Sequence, residues 1–151
     1  MTADCRLTVT VRPVRDEAEV QAAMDLRVRV FVDEQGVDAE EEVDDLDAES
    51  LQIVGLDERR VIATCRLRDL GEGEWKLERM VVDRRARRRG VGARLLAGAE
   101  REARDRGARE ILLNAQRRAE AFYAANGYAP EGGTFMEANI EHVRMRKALD
   151  G

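Results

Sequence analysis

One histidine, two cysteines and two prolines in 151 residues leave several kinds of chemistry little to work with. Cys5 and Cys65 are far apart and form no CxxC pair, so they read as free buried thiols rather than a disulfide or a metal site. The one histidine, His142, has no cysteine or acidic partner at ligand spacing, which argues against a metal centre. Aromatic residues are scarce, with three Phe, two Tyr and one Trp, and the net charge is −5; together these argue against nucleic-acid binding. No apolar run approaches the ~20 residues that a membrane-spanning helix requires. No Lys-Ser or Lys-Thr pair exists, so the P-loop signature is missing. Met1 to Arg6 lacks the basic-then-apolar order of a secretory signal, which predicts a cytoplasmic protein.

Hydrophobic residues make up 44% of the chain and charged residues 38%, the balance of a globular protein. A chain of this length suits a single domain, 1–151, and removes roughly 68–70% of its unfolded surface from water. The charge is unevenly spread. Eight of the twelve residues from Asp38 to Glu49 are acidic, whereas five of the six from Arg84 to Arg89 are basic. A protein that holds an anionic ligand and accepts a cationic one has this pattern.

Periodicity supplies the elements. Leu7, Val9 and Val11 alternate with polar residues, predicting a strand that ends near Pro13. Asp16 caps a helix whose inward positions are Val20, Ala23, Met24, Arg27 to Val28 and Phe31, reaching about Gln35. The acidic stretch reads as a turn or short surface helix whose main contribution is solubility. Leu51 to Leu56 and Val61 to Leu67 flank Asp57-Glu58-Arg59-Arg60 as a hairpin, and Trp75 to Val82 adds a strand after Gly71-Glu72-Gly73. A helix from Gly90 to about Arg106 ends at Gly107, and Glu110 to Ala115 is a short apolar strand. Arg117 to Asn126 is a helix stopped by Gly127, and the tail through Leu149 forms one long or two short strands. The order β–α–β–β–β–α–β–α–β–β describes an α+β fold, a mixed sheet with helices on both faces.

Chemistry concentrates between Lys76 and Leu96. An apolar strand runs through the arginines into Gly90-Val91-Gly92, where a helix begins. Glycines there let backbone approach a ligand, and the free N–H groups of a helix start favour an anion such as a diphosphate. The dinucleotide fingerprint GxGxxG is met at Gly90 and Gly92 with Glu110 about 20 residues on, but Leu95 stands where its third glycine belongs.

Arg87-Arg88-Arg89-Gly90-Val91-Gly92 resembles the acyl-CoA binding motif of the GNAT superfamily of N-acyltransferases, (Arg/Gln)-x-x-Gly-x-(Gly/Ala), set between that fold's fourth strand and third helix. Further blocks resemble its ElaA-like branch: Arg29-Val30-Phe31-Val32-x-Glu34-Gln35, Leu77-Glu78-Arg79-Met80-Val81-Val82, Asn114-Ala115-Gln116, Phe122-Tyr123-x-x-x-Gly127-Tyr128, and Phe135-x-Glu137-Ala138-x-Ile140-x-His142. The chain departs from that pattern at Glu141, where the family has proline, and at Leu51 or Gln52, where a histidine is usual.

The resemblance implies a mostly antiparallel sheet of about six or seven strands and transfer of an acetyl group from acetyl-CoA to a primary amine by direct attack. A catalytically weak CoA-binding sensor or partner-binding module with the same fold is the alternative. The amine acceptor would be a small molecule or peptide, without metal, nucleic acid or membrane, and dimers are common in such folds. The backbone of residues 87 to 92, Arg88 among them, would hold the diphosphate, helped by the guanidinium of Arg87 and by Arg84 or Arg89. The main chain of Met80, Val81 and Val82, with Asn114, would meet the pantetheine arm and polarise the carbonyl. Tyr123 would donate to the departing thiolate. For the base, Glu78 is the first choice, as a carboxylate partly desolvated between Leu77 and Met80 and so tuned upward, and His142 competes with it.

Overall fold

The computed structural model describes residues 8–38 and 45–149. Seven strands form one sheet in the order β1-β2-β3-β4-β5-β7-β6. They are β1 Thr10–Pro13, β2 Leu51–Asp57, β3 Arg60–Gly71, β4 Glu74–Val82, β5 Glu110–Gln116, β6 Ala129–Glu137 and β7 Ile140–Ala148. All neighbours are antiparallel except β4 and β5, which are parallel. The helices are α1 Glu17–Arg27, α2 Val91–Asp105 and α3 Glu120–Ala125.

Element order follows the sequence reading, with local differences. The first strand is shorter, starting at Thr10, and Leu7 lies outside the described residues. Pro13 ends it on a sheet edge, where a missing N–H costs no ladder bond. α1 is capped by Asp16, whose carboxylate accepts from the Glu19 N–H at 2.9 Å. It then widens into a π-helical turn, Val28–Glu34. The predicted helix from Arg117 opens as one 3₁₀ turn, Arg117–Ala119, before α3. Of the acidic stretch, residues 39–44 lie outside the described residues, and Asp45–Glu49 is a 3₁₀ turn.

Two apolar cores lie on opposite faces of the sheet, which is why strands 53–56 and 61–67 are buried throughout. Ile53, Cys65, Leu67, Trp75 and Leu77 pack on α2 residues Val91, Leu95, Leu96 and Ala99. Val54, Leu56, Val61 and Val81 pack on Ala23, Leu26 and Val30 of α1 and its π turn. Trp75 and Leu77 face α2, yet Val81 faces α1, so the alternation along β4 reverses between them. The cause is a bulge: the register against β3 slips there, and Arg79 takes the left-handed conformation at φ 56°. Beyond it, Met80 and Val82 pack with the α2 core.

Among the described residues, no helix is long and apolar enough to cross a membrane.

Candidate active site

β4 and β5 pair at only three positions, Glu74↔Glu110, Trp75↔Ile111 and Lys76↔Leu112, and then diverge. β5 remains paired with β7 along its whole length, so its other edge and that of β4 are left facing one another across a gap. A cleft of about 740 Å³ occupies that gap. Unpaired N–H and C=O groups along two strand edges require partners, and an extended amide-bearing ligand can supply them.

The cleft is lined by Glu78, Met80, Val81 and Val82 of β4, by Arg87 and Arg88, by Asn114 of β5, and by Tyr123 and His142. Arg89, Gly90, Val91 and Gly92 are not lining residues. Arg84 lies instead in a separate shallow groove with Arg59, Arg60 and Arg85. Gly90 caps α2 in the left-handed conformation at φ 78°, no side chain caps the helix, and the Val91 side chain is buried in the core. The first-turn amides therefore start uncapped beside the cleft, and an anion placed there would satisfy them. Gly92 has a role the sequence did not disclose: a Cβ there would stand 3.2 Å from the Phe122 ring and 3.6 Å from the Met80 methyl, so glycine admits α3 against α2.

Arg87 is engaged by protein. Its Nε donates to the Val82 carbonyl at 3.0 Å, and Nη1 pairs with Glu34 at 2.9 Å. The π turn thus reaches one lip of the cleft through Glu34, while Gln35 accepts from Gln116 of β5 at 2.8 Å on the other. Asn126 bonds the Phe122 carbonyl at 2.8 Å, which makes it a helix-end residue.

Tyr123 is 9% exposed, held edge-on by Phe122 and Tyr128 at centroid distances of 5.1 and 5.9 Å. Burial, with Cys65 nearby, pushes its phenol above the ordinary range. The hydroxyl thus stays protonated, and its partner is the weak acceptor Met80 Sδ at 3.5 Å. Burial also pushes the Cys65 thiol up to about 12 and keeps it inert, as the sequence implied; Cys5 lies outside the described residues.

The expected upward tuning of Glu78 is overturned. Burial alone would raise its pKa, but a hydrogen bond from Arg68 at 2.7 Å, with Arg66 and Lys76 at 3.2 Å, outweighs it and holds the carboxyl at about 2. Arg66, 1% exposed, also pairs with Asp47 at 3.1 Å. Asp47 in turn holds Arg27, the fully buried residue in the apolar stripe of α1, at 2.5 Å. One residue of the acidic stretch therefore serves as a half-buried counter-ion to buried arginines rather than as solubilising surface. Arginine at a helix-core position was the available signal, because a buried guanidinium demands a carboxylate.

His142 is 6% exposed and stacks on Phe135, centroids 6.0 Å apart. Its Nδ1 lies 2.6 Å from the Ile140 carbonyl, which can only accept, so that nitrogen is a donor, and in the neutral ring Nε2 is the one with the lone pair. Nε2 lies 3.6 Å from Glu137, whose other oxygen accepts from Asn114 at 3.4 Å. The Oδ1 of Asn114 is buried without a partner among the described residues.

Comparison with known proteins agrees with this arrangement. Residues 15–149 match the model of the acetyltransferase (GNAT) domain. The chain is 39% identical over 134 residues to YjcF of Bacillus subtilis (strain 168), described as an uncharacterized N-acetyltransferase; the match covers 88% of this chain and 95% of that one. An acyl-CoA N-acyltransferase from Pseudomonas aeruginosa superposes with a TM-score of 0.80 at 27% identity, covering 94% of this chain and 99% of that one. Escherichia coli ElaA, at 20% identity, has the same fold, with a TM-score of 0.82 over 93% of this chain and 99% of its own. A diverging parallel strand pair, an uncapped helix start beside it and a family match spanning nearly all of the chain have one meaning: this protein belongs to the GNAT family of acetyltransferases.

Proposed function

We propose that this acetyltransferase moves the acetyl group of acetyl-CoA to a primary amine by direct attack, with His142 as the base and Tyr123 as the donor to the departing thiolate. One observation carries the reading: the cleft opened by the divergence of β4 and β5 is lined by both a protonated phenol and an imidazole whose Nδ1 is committed to the Ile140 carbonyl.

The residues present suit such a cosubstrate. Uncapped amides at the start of α2 fit a diphosphate, the two unpaired strand edges fit an amide-bearing arm, and the unpartnered Asn114 Oδ1 calls for a donor. The thioester supplies an activated carbonyl carbon and a sulfur leaving group.

An alkylamine has a pKa near ~10.4, so exposing its lone pair at pH 7 costs about 4.6 kcal/mol. Nε2 of His142 is oriented to take that proton because the Ile140 carbonyl fixes the other nitrogen as donor. Glu78, held at about 2, is too weak a base for the task and serves instead as the counter-ion of Arg66, Arg68 and Lys76. The Tyr123 hydroxyl, tied only to a thioether, is free to turn toward the departing sulfur. A cytoplasmic setting, where amine and thioester are both free in solution, belongs to the same reading.

Titration calorimetry with acetyl-CoA, followed by thiol release over an amine panel, tests it. His142→Ala should keep acetyl-CoA affinity and lose about 10²-fold or more in turnover, the usual worth of a positioned base. No affinity for acetyl-CoA, or a variant as fast as the parent, would overturn it.

A further inference from the structure

A second, smaller pocket of about 260 Å³ opens off the cleft and shares Phe31, Glu78, Arg79, Gln116, Glu137 and His142 with it. Its remaining lining is Val37, Arg66, Ala138 and Ile140, so Phe31, Val37, Ala138 and Ile140 form an apolar strip within an otherwise polar wall. The volume lies below the roughly 300–1,000 Å³ of sites that enclose drug-sized ligands, which favours a short acceptor over a peptide.

The charges around this pocket are nearly all committed. Arg66 is bound to Asp47 and Glu78, Glu78 is bound by three cations, and Arg79 is likewise engaged. Glu137 differs. It is about half exposed, and its contacts are the Asn114 amide at 3.4 Å and His142 Nε2 at 3.6 Å, so among the described residues no Lys or Arg ion pair involves it. Its position at the junction of pocket and cleft sets a carboxylate beside Nε2 of the imidazole.

Resting on the acyl-transfer reading, we infer that Glu137 selects the acceptor by receiving the ammonium of a short aliphatic primary amine lacking a carboxylate, whose chain lies against Phe31, Val37 and Ile140. The proton then passes from that nitrogen to Nε2 of His142. An acceptor with a carboxylate would set its charge against the apolar strip and against Glu137 itself, in a pocket whose cations Arg66 and Arg79 are already engaged.

The probes are n-butylamine and its acid analogue 4-aminobutanoate, assayed by thiol release from acetyl-CoA with the full chain. The parent should prefer butylamine by about tenfold or more in kcat/KM, the size of one charge-assisted hydrogen bond. Glu137→Gln should raise the butylamine KM by about tenfold on the same ground, leave kcat within about twofold and acetyl-CoA affinity unchanged, and narrow the preference. Glu137→Asp, which keeps the charge, should recover most of the loss. The parent preference stands as a test if either variant folds poorly in a thermal melt. A butylamine KM unmoved by Glu137→Gln, or a parent that prefers aminobutanoate, sinks the inference and leaves the acyl-transfer reading intact. No thiol released with any amine sinks both.

Discussion

Tyr123 shows how position and environment divide the labour within one side chain. The ring is core, packed between Phe122, Tyr128 and the α2 side of the sheet, while the hydroxyl reaches the cleft and meets only a thioether. Tyr123→Phe keeps the packing and deletes the donor. It should lower kcat by roughly 10²-fold, the scale of one lost acid or oxyanion donor, with acetyl-CoA affinity and melting temperature nearly unchanged. Stopped-assay kinetics alongside calorimetry check this, and a fall in affinity equal to the fall in kcat would assign Tyr123 to binding. The residue was singled out by the resemblance of the block Phe122-Tyr123-x-x-x-Gly127-Tyr128 to the family, and that block is local enough in the chain for α3 to carry it to the cleft. Glu78 was legible as a residue and misread as an acid-base group. The cations that surround it arrive from Arg66 and Arg68 on β3, across the sheet, as well as from Lys76 on its own strand, and strand pairing is invisible to local pattern.

At the scale of elements, the cleft depends on how β4 and α2 are interrupted. The bulge at Arg79 reverses the facing of β4, so that Glu78 joins the charge cluster while Met80 reaches Tyr123 and lies near Gly92. Without it, a strict period of two would put Met80 on the α1 face with Glu78. Gly90 governs the next element. Its φ of 78° starts α2 without a side-chain cap, and a Cβ added there would meet nothing within 4 Å, so only backbone strain opposes substitution. Gly90→Ala should therefore cost about 1–2 kcal/mol, the left-handed penalty for an L-residue, and lower the melting temperature by several degrees. Gly90→Asn, which tolerates that conformation better, should cost less. If the α2 amides hold the diphosphate, Gly90→Ala also weakens acetyl-CoA binding as the helix start relaxes. Calorimetry and thermal melts on both variants decide it, and equal losses for Ala and Asn would exclude the strain explanation.

At the scale of the molecule, one chain of charges ties the first helix to the middle of the sheet: Arg27 to Asp47, Asp47 to Arg66, Arg66 to Glu78, and Glu78 to Arg68 and Lys76. Removing the half-buried Glu78 carboxylate leaves the buried Arg66 with Asp47 alone, so Glu78→Gln should destabilise the fold by about 1–3 kcal/mol at neutral pH. The pH dependence has a definite sign. Glu78 titrates at about 2 in the folded protein against an ordinary 4.5, so its stabilisation is complete above 4.5 and is lost as the pH falls through about 2. Urea melts of the parent should show stability declining across that window, and Glu78→Gln should flatten the decline. A variant with the parent's acid profile would remove Glu78 from the account.

The sequence by itself determined the order of the elements, the glycine-led start of α2 and the aromatic pair on α3, because each is written in spacings of a few residues and local geometry enforces them, and its resemblance to known motif blocks gave the family. Only the tertiary structure decided where β4 parts from β5, which face Met80 takes after the bulge, that Asp47 and Glu78 are counter-ions to buried arginines, and that Glu137 lies beside His142 without such a cation. Those facts depend on residues far apart in the chain, and both the free energy of a charge and the openness of a strand edge are set by whatever the fold brings against them.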